Sequence, residues 1–369
     1  MLRETIHALG CAVTLTAAGC TSLPYEKPVI EAMAPTAQRF DGLRDLAPGR
    51  PLQVLVVHGM CTHDFNWVEA WVKAMGRAFG SPGVQKPSSP VGSIATARYD
   101  FTDNGRTVEV TFAVWSMATA APKQRLAYDS KGKFPYERAK FNDAAKSELI
   151  NDCFADPVIY SGSSAPGTIG QALRADMVGV VCGFLGGQWT AKACSGADAT
   201  MDRAFITESL GSKMLFDGVG SLADPNTPEA APLRKSLART RAIYMLANQL
   251  PLLALAEARA GMTTSRVETS ELGWFGPSPG RDLADAQQSG PALQIVAFTD
   301  PNDQFSYRLT HASIGEDPER VALFNVIVSN APTYFGLAEN PWPAHVGYWD
   351  NAVVPRLVLE GGEATPAKR

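Results

Sequence analysis

The chain has 369 residues, of which 45% are hydrophobic and 19% charged, with a formal net charge of −4. That length suits one large α/β domain with insertions, or two small domains. The mildly acidic balance and the lack of any Lys/Arg run exclude the electrostatic footprint of a nucleic-acid binder.

The first segment reads as a leader. Arg3 sits in a short polar lead, and Ala8 to Ala18 is a run of small and apolar residues too short to span a bilayer. The run closes on Leu15-Thr16-Ala17-Ala18-Gly19-Cys20, which resembles the lipobox of bacterial lipoproteins, with Ala17 where that pattern more often has Leu. The resemblance implies a signal peptide over 1–19, cleavage before Cys20 and lipidation of that cysteine. With Thr21 next, it implies an outer-membrane anchor facing the periplasm. Residues 20–50, with Pro24, Pro28, Pro35 and Pro48, read as a tether.

An apolar run, Leu52 to Val57, broken only by Gln53, predicts a strand buried on both faces that stops at His58-Gly59. Asp64 caps a predicted helix with a stripe of Phe65, Val68, Trp71, Val72, Met75 and Phe79. Ala95–Phe101 and Thr107–Trp115 flank Asp103-Asn104-Gly105, a strong hairpin turn. Further on, Glu137–Leu149 reads as helix, Pro157–Tyr160 as strand and Ile169–Phe184 as an apolar helix of a core or lid. Arg203–Thr207 reads as a strand running into Ser209, and Lys213–Gly218 as the helix leaving it. Pro232–Ala260 has helical spacing, and Thr263–Gly290 is a Gly/Pro/Ser/Asp-rich loop. Strands return at Leu293–Phe298 and Val321–Ser329. The alternation predicts an α/β fold with a mainly parallel sheet. Past Cys20 there are four cysteines: Cys61, Cys153, Cys182 and Cys194. They allow three full pairings, in which Cys153–Cys194 or Cys182–Cys194 would staple the same insertion.

The stretch with the most chemistry is Thr207-Glu208-Ser209-Leu210-Gly211. A strand turning sharply into a helix at Ser209 would lift one hydroxyl to the top of the sheet, and Gly211 would let the two backbones approach. Such a serine needs a histidine base held by a carboxylate. Past the leader the chain offers only His58, His63, His311 and His345. His58, His63 and Asp64 match no metal-ligand spacing, so neither metal nor cofactor is expected.

The order of these residues resembles the α/β-hydrolase superfamily, in its broad lipase and esterase group. His58-Gly59 follows the first buried strand, and then come Ser209, the carboxylates of Asp300-Pro301-Asn302-Asp303, and His345, sixteen residues beyond Ser329. The likeness spans about residues 51–355, with Thr207 where the family usually has Gly. It implies Ser209 as nucleophile, His345 as general base and then acid, and Asp303 as orienting acid, with Asp300 as the alternative. It also implies backbone N–H groups of Met60 and Leu210 as oxyanion donors, supported by His58, Gly59 and Gly211. The implied organisation is a hydrolase domain over 51–360 with helical cap insertions at about 120–200 and 225–290, and a flexible tail over 361–369. The implied reaction is hydrolysis of a carboxylic ester, from a small-molecule or lipid substrate, through an acyl-enzyme. The same residues would serve a thioesterase or acyltransferase, and an inactive hydrolase fold could serve as a binding or scaffolding module.

Overall fold

The structure, a computed structural model, describes residues 21–366 apart from 34–36, 131, 134, 163–165, 191, 225, 227–229, 254, 256–274, 276–292 and 315–320. The expected leader, Cys20 and most of the expected 225–290 insertion therefore lie outside the described residues.

A nine-stranded sheet forms the centre. Its strands in chain order are β1 (Val29–Ala32), β2 (Leu52–Val57), β3 (Val84–Lys86), β4 (Ala95–Asp103), β5 (Arg106–Val114), β6 (Asp202–Glu208), β7 (Thr240–Leu246), β8 (Leu293–Thr299) and β9 (Val321–Ile327). Across the sheet they run β1-β9-β8-β7-β6-β2-β5-β4-β3. The six strands from β9 to β5 are parallel, while β1 at one edge and the β4–β3 hairpin at the other are antiparallel. Strands β6, β8 and β9 are buried along their whole length, as expected of parallel strands covered on both faces. Asn104 and Gly105, both at positive φ, make the tight β4–β5 turn.

Helices cover both faces. On one lie α1 (Phe65–Phe79) and, near the C-terminus, Val353–Glu360, which bury Val68, Trp71, Met75, Val354 and Val358 in one core cluster. Asp64 caps α1 by accepting from Asn66 N–H, whereas Phe65 stays exposed. On the other face lie α2 (Ile169–Phe184), α3 (Leu210–Ala223) and α4 (Ala230–Leu237). Gly218 of α3 lets Met177 and Val181 of α2 approach closely, so α2 is a layer of the core and not a lid.

Four expectations need correction. Residues 240–246 do not continue a helix but form β7, between β6 and β8 in the sheet. A short, mostly apolar run such as Ala242–Leu246 cannot distinguish strand from helix by its period, and here the sheet position decides. The second insertion therefore starts beyond Leu246. Pro157–Tyr160 is not a strand; it belongs to a helix, Ala155–Ser161, that continues a π-helical stretch, Ala145–Phe154. Cys153, Asp156 and Tyr160 are buried at helical spacing, and Pro157 falls in the first turn of the α-helical part. The 20–50 segment is not a free tether past residue 20. It supplies β1, and Phe40 and Leu43 are fully buried. Nor is the 361–369 stretch a free tail throughout, because Gly362–Glu363 pairs with Arg39–Phe40 and Thr365 N–H donates to Ile30 O. Among the described residues no helix is long and apolar enough to cross a membrane.

Candidate active site

Strand β6 delivers Ser209 to the C-terminal end of the sheet. Its backbone is at φ 51°, ψ −121°, a conformation that side chains rarely adopt and that persists only where surrounding contacts enforce it. Three contacts do so. Ser209 N–H donates to Leu246 O at 2.8 Å. A Cβ on Gly211 would lie 2.5 Å from His58 O and 2.7 Å from Val57 O, so only glycine permits α3 to leave so close to β2. Thr207, fully buried, bonds its hydroxyl to Ser212 Oγ at 2.8 Å and so bridges strand and helix across the turn.

Ser209 Oγ lies 3.3 Å from His345 Nε2, and His345 Nδ1 lies 2.8 Å from Asp303 Oδ1. All three side chains are almost fully buried. Asp303 also accepts from Phe305 N–H at 3.0 Å and from the Tyr348 hydroxyl at 3.0 Å. Burial and the Asp303 charge push the Tyr348 hydroxyl well above its ordinary range, so it stays a donor. With Nδ1–H donated to Asp303, His345 presents Nε2 as an acceptor toward Ser209. The histidine sits on a one-turn helix, Pro341–Val346, capped by Asn340, whose side chain accepts from Trp342 N–H.

The Asp300 side chain is not part of this chain of contacts, although its backbone N–H donates to the Tyr348 hydroxyl at 2.8 Å. Its carboxylate accepts from Asn302 N–H at 2.9 Å and Asn330 N–H at 2.6 Å, joining the loops after β8 and β9. Burial raises its pKa, and burial and the neighbouring Asp300 push Glu339 to about 7. His63 and His311 stand outside the site's hydrogen-bonded core: His63 contacts Cys61 O, and His311 opens a short helix, His311–Ile314.

The loop after β2 packs against the turn. A Cβ on Gly59 would fall 2.9 Å from Ser209 Cβ. His58 is fully buried and stacks on Trp115, ring centroids 4.7 Å apart. Trp115 N–H donates to His58 Nε2, so Nδ1 carries the proton and donates to Gly59 O at 2.7 Å. Neither ring nitrogen is free to act as a base, and Asp64 caps α1, so this group serves structure. Burial first, and His63 beside it, lower the His58 pKa well below its ordinary value. The unfolded chain therefore binds the proton more readily. The contribution of His58 is complete above about pH 6.5 and declines as pH falls below it, by up to about 1.4 kcal/mol per unit. Urea midpoints measured from pH 7.5 to 5 should fall accordingly, and less steeply in His58→Asn; a flat wild-type profile would refute the assignment.

The backbone N–H groups of Met60 and Leu210 donate to no other described residue. Beyond Met60 the loop is fixed to the first insertion. Cys61 is disulfide-bonded to Cys153, and its N–H donates to Asp156 Oδ2 at 2.8 Å. Thr62 donates to Asp152 through N–H at 3.1 Å and Oγ1 at 2.6 Å. Lys123 bridges both carboxylates, at 3.1 Å and 2.8 Å. Cys182 pairs with Cys194, one of the two pairings expected to staple this insertion. A pocket of about 210 Å³ opens at Ser209, with Glu208, Met60, Asp152, Trp342 and His345 in its walls.

Two participants escaped the sequence. Gln249, buried just past β7, brings Nε2 to 3.4 Å from His345 Nε2. No sequence signal marks it while β7 reads as helix. Tyr348 was legible only as an aromatic beside His345. No protein-family model, curated protein or solved structure matches the chain.

Proposed function

We propose that the protein is a serine hydrolase of the α/β-hydrolase type, cleaving carboxylic esters through an acyl-enzyme. The observation that carries this reading is the strained turn at Ser209, whose hydroxyl meets His345 Nε2 at 3.3 Å while His345 Nδ1 meets Asp303 at 2.8 Å. Few structural needs place a buried serine at positive φ against a carboxylate-bound imidazole, whereas acyl transfer needs just that.

In the proposed reaction Ser209 Oγ attacks the ester carbonyl carbon and passes its proton to His345 Nε2. Asp303 accepts the Nδ1–H bond and stabilises the imidazolium. The carbonyl oxygen, now negative, takes the N–H groups of Met60 and Leu210, each worth about 3–4 kcal/mol in comparable sites. His345 returns the proton to the departing alkoxide. Water then repeats the sequence on the acyl-enzyme and frees the acid. The pocket beside Ser209 is about 210 Å³ among the described residues, which favours a short acyl group.

A fluorophosphonate probe should label the wild type at Ser209, and Ser209→Ala should abolish both labelling and ester turnover. Absence of labelling in folded wild-type protein, with and without detergent, would reject the reading in favour of a binding module. In a series of p-nitrophenyl esters, kcat/KM should peak at short chains.

A further inference from the structure

Between β9 and the His345 helix the chain makes a small hairpin, Thr333–Tyr334 paired with Ala338–Glu339. Its tip is Phe335-Gly336, both at positive φ (54° and 65°). Phenylalanine is a poor choice for that conformation, where Asn or Gly is usual. Among the described residues little packing rewards it: Phe335 is 59% exposed, Leu337 89% and Tyr334 49%. Residues 331–338, Ala-Pro-Thr-Tyr-Phe-Gly-Leu-Ala, carry no charge. A projecting, uncharged tip of Phe and Leu beside a Tyr has the composition of a surface that enters the boundary of a lipid layer.

The N-terminal segment indicates the occupant. Thr21 and Ser22 pair with Tyr334 and Thr333, making the third strand of this small sheet, and Leu23 adds a further 44%-exposed apolar side chain beside it. The Ser22 and Thr333 hydroxyls meet at 2.9 Å. Cys20, where the lipobox resemblance expects the lipid, directly precedes this strand in sequence, so that expectation puts the lipid next to the hairpin. Val29 pairs with Ile327, so this junction is at the same end of the sheet as Ser209. At the hairpin's base Glu339 accepts from Asn302, one residue from Asp303, and Asn340 caps the His345 helix.

We propose that the 333–339 hairpin, with Leu23, is a lipid-docking surface: Phe335 and Leu337 insert among the headgroups and acyl chains of a membrane, with the rim carrying Ser209 turned toward it. Hydrophobic burial drives the contact, so it needs no anionic lipid.

The test uses the full chain with phosphatidylcholine vesicles. Amide exchange over 333–338 should slow at least tenfold when vesicles are added, and Phe335→Ser/Leu337→Ser should lose that protection. Both side chains are exposed, so the double variant should keep its wild-type melting temperature. In flotation its partitioning should drop at least ~30-fold where the tip supplies the affinity. Unchanged exchange at the hairpin in vesicle-bound protein would overturn the proposal, and so would failure of the wild type to bind. Protection that appears without lipid and grows with protein concentration would assign the tip to a second copy of the chain, and likewise overturn it. None of these readouts requires ester turnover.

Discussion

Asp303→Asn should lower the rate of Ser209 acylation about 10⁴-fold. The amide nitrogen of an asparagine at 303 would face either His345 Nδ1 or the Tyr348 hydroxyl, both of which donate to the carboxylate. Facing Nδ1, it forces the imidazole proton to Nε2, where it blocks removal of the Ser209 proton. Asp300→Asn should behave differently. One of the two N–H groups it receives, from Asn302 or Asn330, would meet an amide N–H, at a cost of about 1–3 kcal/mol in stability. The acylation rate of the folded Asp300→Asn protein should stay within about tenfold of wild type. Stopped-flow labelling by a fluorophosphonate, with urea midpoints for each variant, separates the two effects. The reverse pattern would move the orienting role to Asp300.

Gly211→Ala should be nearly as damaging, through geometry alone. The new methyl would meet two backbone carbonyls, His58 O at 2.5 Å and Val57 O at 2.7 Å, and backbone cannot swing aside as a side chain can. Either α3 shifts away from β2 or the 57–58 peptide does. Overpacking of this kind costs about 1–3 kcal/mol, and a displacement near 1 Å at the reacting groups costs about 100-fold in rate. The labelling rate and the thermal midpoint should fall together. A variant with wild-type values in both would show that the turn has slack which the structure does not reveal.

Much of this site was legible in the sequence because strong local requirements leave marks. Leu52–Val57 is apolar at nearly every position because parallel neighbours flank it and helices cover it. Asn104-Gly105 is a turn because few other pairs tolerate two positive φ values. Ser209, Asp303 and His345 stand out because a chain with four histidines after residue 20 has few ways to build a base. The illegible parts depend on what lies far away in sequence. Ala242–Leu246 is as apolar as a core helix, and only its neighbours β6 and β8 make it a strand. Missing it concealed Gln249. Val29–Ala32 pairs with a strand nearly 300 residues later, and no local periodicity announces an edge strand of four residues. The Cys61–Cys153 pairing arises because the π-helical stretch lies against the loop after β2, a contact with no counterpart in local sequence.

That last contact alters how the first insertion can move. A cover over an active site is ordinarily pictured as separate from the machinery beneath it, free to lift while the catalytic groups stay in place. Here residues 152–156 hold Cys61 and Thr62 by a covalent bond, two carboxylates and a buried lysine, and Met60 is the next residue along. Raising that part of the insertion would pull away the peptide expected to steady the developing negative charge. In the proposed reaction, substrate and product would therefore pass by a different segment, with this part of the insertion a wall of the pocket and not its door.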